Sequence, residues 1–463
     1  MRLNHFVFLV FIALASSANA VDDKVLFTPD YFNYSQALKA GEEAGFVWGP
    51  TVKSAQKITF DKTALRPAEK RTINREARNA SMVSQASAFG QAVAVPSTVE
   101  FVVGFETYRA ELERTDLFDP STRFFRVEGS DFVSHVSIVG NSVAGEIWLP
   151  SNPGKVEHRS IRTRQGSSYL VEWDEEETNK LMARCNPVRE REPEVLSSVA
   201  RVPTRAIAPP REPEVVGPCE AGMVLTNVVD YLVLFDRTGY DYFLSDEERA
   251  SYAKNVVTAI NATIINSMGV GWVRLAGYRR VDDVVSSGDL SDDLHKLYSS
   301  ALAEVLREEY KADIVGMFVG AANPNYGGMA YEFGGGSNYG FMVAHVAVSS
   351  TAPTHEFGHT IGMGHQPEYC PNPYLPFAVG HVVPGWFGDA VSALYPGVCP
   401  GGCDIVPVYS NPHVLAYGRP TGIEGERENW KMIKIAFPVV SSYREGSQPT
   451  CMPFSIRSFG IVK

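Results

Sequence analysis

His355-Glu356-Phe357-Gly358-His359-Thr360-Ile361-Gly362-Met363-Gly364-His365 gathers three imidazoles and one carboxylate into a single short stretch. On a helix, residues four apart lie on one face a turn apart, so His355 and His359 can present ring nitrogens to one ion. Glu356 sits one position round, close enough to hold a water. Three neutral imidazoles suit a catalytic zinc whose fourth position stays open, where a water's pKa falls toward neutrality and it can attack a peptide carbonyl. Glu356 is the candidate to take and return the proton. A helix running on past His359 would carry His365 away from the ion. The chain must therefore turn, and Gly362 can adopt the positive φ that ends a helix, with Gly364 as a second permissive point. HExxH alone arises by chance; Gly362 and His365 at fixed offsets make the pattern specific. The expected cofactor is one catalytic Zn2+ on His355, His359 and His365.

The elements around this stretch alternate strand and helix. Asn227–Phe235 reads as a strand, and Ser245-Asp246-Glu247-Glu248 as a capping box opening a helix to about Ser267. Trp272–Ala276 is a second strand, about Ser291–Tyr310 a second long helix, and Asp313–Val319 a buried strand. Phe341–Val348 is strand-like and leads into the zinc helix; it is the expected edge along which an extended peptide would pair. An α/β domain over 219–463 follows from this order. Upstream, Val99–Val103, Ser134–Val139, Glu146–Trp148 and Ser168–Trp173 predict an antiparallel β-rich domain within 21–185. Between them, 186–218 is rich in Pro, Arg and Glu, with Arg191-Glu192-Pro193-Glu194-Val195 recurring as Arg211-Glu212-Pro213-Glu214-Val215. Such a stretch buries little and reads as an exposed linker, cut at Arg201, Arg205 or Arg211 or left as a plain tether.

At 463 residues the chain can hold two or three domains. Residues 1–20 read as a secretory leader, with Arg2, the apolar run Phe6–Leu14, then Ala18-Asn19-Ala20. That run is too short to span a bilayer and no later one is longer, so a secreted product without a membrane anchor is expected. Six cysteines, Cys185, Cys219, Cys370, Cys399, Cys403 and Cys451, fit an oxidising destination. Their connectivity is open, although Cys399 and Cys403 bracket a tight loop. A net charge of -11 argues against nucleic acid as a partner. Protein or peptide substrate is the expected partner, and the chain is expected to be a monomer. Asn33, Asn79 and Asn261 head glycosylation acceptor triplets.

The zinc motif resembles that of the metzincin zinc endopeptidases, and the chain from about Asn227 to Lys434 is similar to the reprolysin-like and peptidyl-Asp metalloendopeptidase group. Ala312-Asp313-Ile314-Val315, Gly327-Gly328-Met329-Ala330-Tyr331 and Tyr409-Ser410-Asn411-Pro412 carry the wider resemblance. It implies a twisted mixed sheet with two long helices plus the active-site helix, a horizontal cleft, a small C-terminal lobe entered after Gly362, and a β-rich prodomain ahead. It also implies His355, His359 and His365 as ligands and Glu356 as base, with an acidic residue preferred after the cut. The chain departs from the group twice. Ala393, in Val391-Ser392-Ala393-Leu394-Tyr395, stands where these enzymes place a turn methionine under the metal, and Gln366 follows the third histidine where an aspartate is usual. Tyr395 is either a partner of the ion or oxyanion, or a packed turn residue. Cys185, in Arg184-Cys185-Asn186-Pro187, resembles a latency switch whose thiolate silences a zymogen; half of an ordinary disulfide is the competing reading. His345, His381 and His413 read as core or surface histidines. The function expected is a zinc endopeptidase made as a proenzyme, with a catalytically silent binding protein of the same fold as the alternative.

Overall fold

The structure, a computed structural model, describes residues 24–29, 52–61, 98–174 and 223–453, apart from 104–105, 117, 152–154, 321–326, 334–336, 395–396, 400–401 and 447–448. The leader at 1–20, the linker at 186–218, Cys185 and Tyr395 lie outside the described residues.

Alternating apolar and polar residues make the N-terminal region β-rich. Its strands are β1 (Lys24–Pro29), β2 (Val52–Phe60), β3 (Thr98–Val103), β4 (Glu106–Thr115), β5 (Thr122–Val127), β6 (Val133–Val139), β7 (Ser142–Ser151), β8 (Lys155–Arg164) and β9 (Ser167–Trp173). They form a closed barrel in the order β1-β2-β9-β8-β7-β6-β5-β4-β3. The strands expected at 99–103, 134–139, 146–148 and 168–173 are β3, β6, β7 and β9. Neighbours are antiparallel, except that β1 meets β3 in parallel and so removes the free edges. Phe101, Phe125, Val136, Ile147 and Ile161 fill the interior.

The remaining elements are β10 (Met223–Thr226), β11 (Val228–Phe235), α1 (Arg237–Tyr242), α2 (Asp246–Asn266), β12 (Trp272–Arg280), α3 (Leu290–Ser299), α4 (Ala301–Glu309), β13 (Ile314–Val319), β14 (Gly328–Ala330), β15 (Phe341–His345) and α5 (Thr351–Thr360). Then come β16 (Val382–Val383), β17 (Phe387–Gly388), β18 (Asp404–Ile405), β19 (Leu415–Ala416), β20 (Arg419–Pro420), α6 (Trp430–Val440) and β21 (Thr450–Pro453), which pairs with β10. The main sheet has the order β12-β11-β13-β15-β14, parallel except for β14. β11 is buried along its whole length, as a central parallel strand covered on both faces must be. Ile260 of α2, Phe357 of α5 and Phe437 of α6 cover one face; Leu294 and Leu297 of α3 and Leu306 of α4 cover the other. This is an α/β region behind a β-rich one. Among the described residues, no helix is long and apolar enough to cross a membrane.

Several expectations need correction. The helix expected over 291–310 is two helices. Ser300 is extended (ψ 119°), and its hydroxyl accepts from Ala303 N while donating to Asp283, a local alternative to helical bonding that breaks the run. The capping box is half present: Ser245 Oγ accepts from Glu248 N, but the Glu248 carboxylate takes Leu244 N and Gln165 N of the barrel. Phe341–His345 is not the sheet's edge, because β14 pairs along its outer side. Asn261 cannot be a glycosylation acceptor: it is fully buried, exchanging both side-chain bonds with the Val273 backbone.

Candidate metal centre

α5 is wedged between α2 and the β14–β15 pair, and it carries His355, Glu356 and His359, all buried. The helix stops at Thr360. Gly362 has φ +87°, and Met363 N reaches back to Gly358 O at 2.9 Å, closing the last turn as the left-handed residue requires. The chain then reverses, and Gly364 pairs with Val379. His365 is thereby returned to the helix.

The three Nε2 atoms meet in a near-equilateral triangle: 3.0 Å from His355 to His359, 3.0 Å from His355 to His365, and 3.1 Å from His359 to His365. His355 Nδ1 donates to Ala390 O at 3.0 Å and His359 Nδ1 to Met363 O at 2.8 Å. A carbonyl can only accept, so these Nδ1 atoms carry the protons, and the Nε2 atoms of His355 and His359 each point a bare lone pair into the triangle. Burial disfavours the charged form of all three rings. It pushes His359 down to about 4 and His355 and His365 well below their ordinary value, and the neighbouring imidazoles add to the fall for His355 and His365. Two such lone pairs facing each other at 3.0 Å repel unless a proton or a cation sits between them. Zinc fits: tetrahedral coordination at Zn–N of about 2.0–2.1 Å sets a nitrogen spacing of roughly 3.3 Å, close to that found. His355, His359 and His365 are the cluster among the described residues that can hold a metal ion.

Glu356 is fully buried against the edge strand. A Cβ placed on Gly328 would lie 2.4 Å from Glu356 Cγ and 2.7 Å from its Oε1, so the strand's backbone is the wall that fixes this carboxylate. The glycine pair at Gly327-Gly328 was the available sequence signal for that approach.

Below the helix, the two departures from the resemblance meet. The Gln366 amide donates to Ala393 O at 2.7 Å and accepts from Ala393 N at 2.9 Å, holding that residue's backbone like a strand partner. Asp389 braces the same turn, accepting from Ser392 Oγ and Ser410 N; burial raises it to about 6 against these bonds. The turn in question supplies the Ala390 carbonyl that orients His355. Tyr409 OH, also buried, donates to Thr354 O of α5. Sequence reading missed Gly328, Ala390 and Tyr409 as parts of the site's frame.

Other singled-out residues stay apart. His345 alternates with Met342 and Ala344 of the α5-facing core and so looks to the opposite face. His381 lies just ahead of β16 with Nδ1 beside the Arg427 guanidinium, burial and that charge lowering it to about 4. His413 sits in a loop. Cys399 and Cys403 are bonded to each other, stapling the loop before β18, and Cys451 is disulfide-bonded as well.

No protein-family model matches the chain, and no curated protein resembles it in sequence. Among solved structures, one described as a chaperone-substrate complex is similar over 48% of this chain at 20% identity and a TM-score of 0.40; the overlap is 36% of that chain's length. Metalloproteinase-II from Bacteroides fragilis is similar over 58% of this chain and 81% of its own, at 12% identity and a TM-score of 0.33. Likeness of this degree says nothing of chemistry, which rests on the site's own atoms.

Proposed function

We propose that the chain is a zinc-dependent endopeptidase of the metzincin type, closest to the reprolysin-like and peptidyl-Asp group. The observation that carries this reading is the convergence of three buried Nε2 atoms, those of His355 and His359 unprotonated, beside a buried glutamate. A zinc ion held by His355, His359 and His365 would supply Lewis-acid polarisation and an acidified water. Glu356 takes the proton from the attacking water at its carboxylate and hands it to the departing amine nitrogen. Ala390 O and Met363 O keep His355 and His359 in the tautomer that offers Nε2. A substrate peptide pairs in extended form along β14, the outermost strand of the sheet and the one next to Glu356, with side-chain pockets giving choice.

The same reading has the product secreted through residues 1–20 and made as a proenzyme, with the 186–218 linker as the processing region. Cys185 would be the latency thiolate and Tyr395 a partner of the developing oxyanion. Casein or peptide-library hydrolysis that a chelator abolishes, and that Glu356→Gln lowers about 10²–10⁴-fold with metal content unchanged, is the expected result. A folded, metal-loaded protein that cleaves nothing would leave the silent binding protein as the better account.

A further inference from the structure

α2 is buried on all sides: 17 of its 21 residues are inaccessible. One side packs on the main sheet; the other carries Lys254, Asn255, Thr258, Ala262 and Asn266 against the barrel. There, Asn255 Nδ2 donates to Glu146 Oε1 at 2.7 Å and its Oδ1 meets His135 Nε2 at 3.1 Å. Asn266 Oδ1 accepts from Val133 N at 2.9 Å, Thr258 meets Ser137, and Lys254 pairs with Asp119 at 2.7 Å. Apolar contacts frame this polar strip, with Phe124 of the barrel stacked edge-on against Trp272 at 5.9 Å. The barrel also has a second footing. Phe132, Trp148 and Val156 pack on Phe387, Val406 and Val408 of the small lobe that begins after Gly362. Between the two footings lies a small cavity of about 20 Å³, walled by Glu146 and Trp148 of the barrel, Ala259 of α2, Thr354 of the metal helix, and Ala390 and Val406 of the small lobe. The barrel thus touches both lobes that supply the metal centre, and a shared cavity wall separates it from Ala390, whose carbonyl orients His355.

We infer that the barrel is a resident partner of the α/β region, held noncovalently once the linker is cut, and that its two footings set the spacing of the lobes around the histidine triangle. Detaching it would expose Trp272, Ile265, Phe387 and Val406 to water and strip Glu146 of its Asn255 donor. Direct hydrogen bonds and buried apolar clusters both cross this interface, as they do between stably associated proteins, and both lobes are engaged.

The decisive experiment introduces a site-specific protease sequence within 202–210 of the full chain in a Cys185→Ser background. The N-terminal piece then contains no cysteine, so no disulfide can join it to the remainder. After cutting, the two pieces are expected to co-elute at the mass of the intact chain, with unchanged metal content and undiminished peptide hydrolysis. Trp148→Ala with Asn255→Ala, one change on each footing, is expected to release the barrel and lower hydrolysis at least tenfold while zinc stays bound. Pieces that elute separately overturn the inference, as does a barrel-free α/β piece as active as the two-piece assembly. The activity arm rests on the peptidase reading and the association arm does not: co-elution without any hydrolysis, cut or uncut, would sustain the interface and refute the peptidase.

Discussion

Two buried constellations of histidine and glutamate lie on either side of α2, and they are built on opposite principles. In the barrel interface, Glu146 accepts from Asn255, from His158 at 2.8 Å, from Arg162 at 2.9 Å and from Ser160. Burial pushes this carboxyl up, yet the Arg162 charge and the His158 bond outweigh it and hold Glu146 well below the usual carboxylate range. The donors and charges close on the Glu146 carboxylate, while His135 Nδ1 and Arg162 Nη1 at its margin have no partner among the described residues. In the α5 site, three imidazoles aim their Nε2 atoms at one another, two of them held unprotonated, and the glutamate beside them is fixed by the close approach of a backbone. Buried histidines alone therefore do not mark a metal site. The mark is a set of ligand nitrogens that converge on one point, with their far sides held by backbone carbonyls.

The contrast can be broken from the interface side. Glu146→Ala would leave the Arg162 guanidinium buried without its carboxylate, a change that costs about 3–5 kcal/mol. Urea unfolding should register that loss, with zinc affinity of the surviving folded protein unchanged. A stability cost below about 1 kcal/mol would mean that the cluster is not self-contained.

From the metal side, Gly328→Ala tests whether a backbone wall holds Glu356. Displacing a reacting group by about 1 Å can lower a rate about 10²-fold. Such a fall in kcat with zinc content and KM retained is expected, and an unchanged kcat would remove β14 from the account.

The smallest effect lies in pH. Burial pushes His135 down to about 4, against the opposing pull of Glu146 and Asn255 and with Arg162 and His158 nearby. The unfolded chain binds that proton near the ordinary value of about 6.5. Between about 6.5 and 4 the unfolded state thus holds the extra proton, so stability falls as pH falls through that window. The slope from this one ring is about 1.4 kcal/mol per pH unit, and His135→Gln, which can keep the bond to Asn255, should flatten the profile by that amount. Chemical denaturation at several pH values reads it directly.

Local signals were legible in the chain. The i, i+4 histidines, the positive-φ Gly362 and the cap at Ser245 each depend on a few neighbouring residues, and the structure places them as the spacing requires. What escaped depends on partners far away in sequence. Ser300 breaks a helix by reaching Asp283, and Gln366 holds Ala393 across the site. Phe341–His345 loses its edge because a three-residue strand pairs outside it, a segment too short to show a period. The acceptor triplet at Asn261 is a surface signal only if the helix is exposed, and packing on both sides of α2 buries it. The barrel's strands could be seen, but neither their closure nor their grip on two lobes is written in any one of them.

Metal stoichiometry reaches the central claim most directly. Purified protein dialysed against trace zinc should carry one zinc per chain by elemental analysis, and His365→Ala, folded to the same circular dichroism, should carry none. A wild-type chain without stoichiometric metal, or a His365→Ala chain that keeps it, would contradict the account.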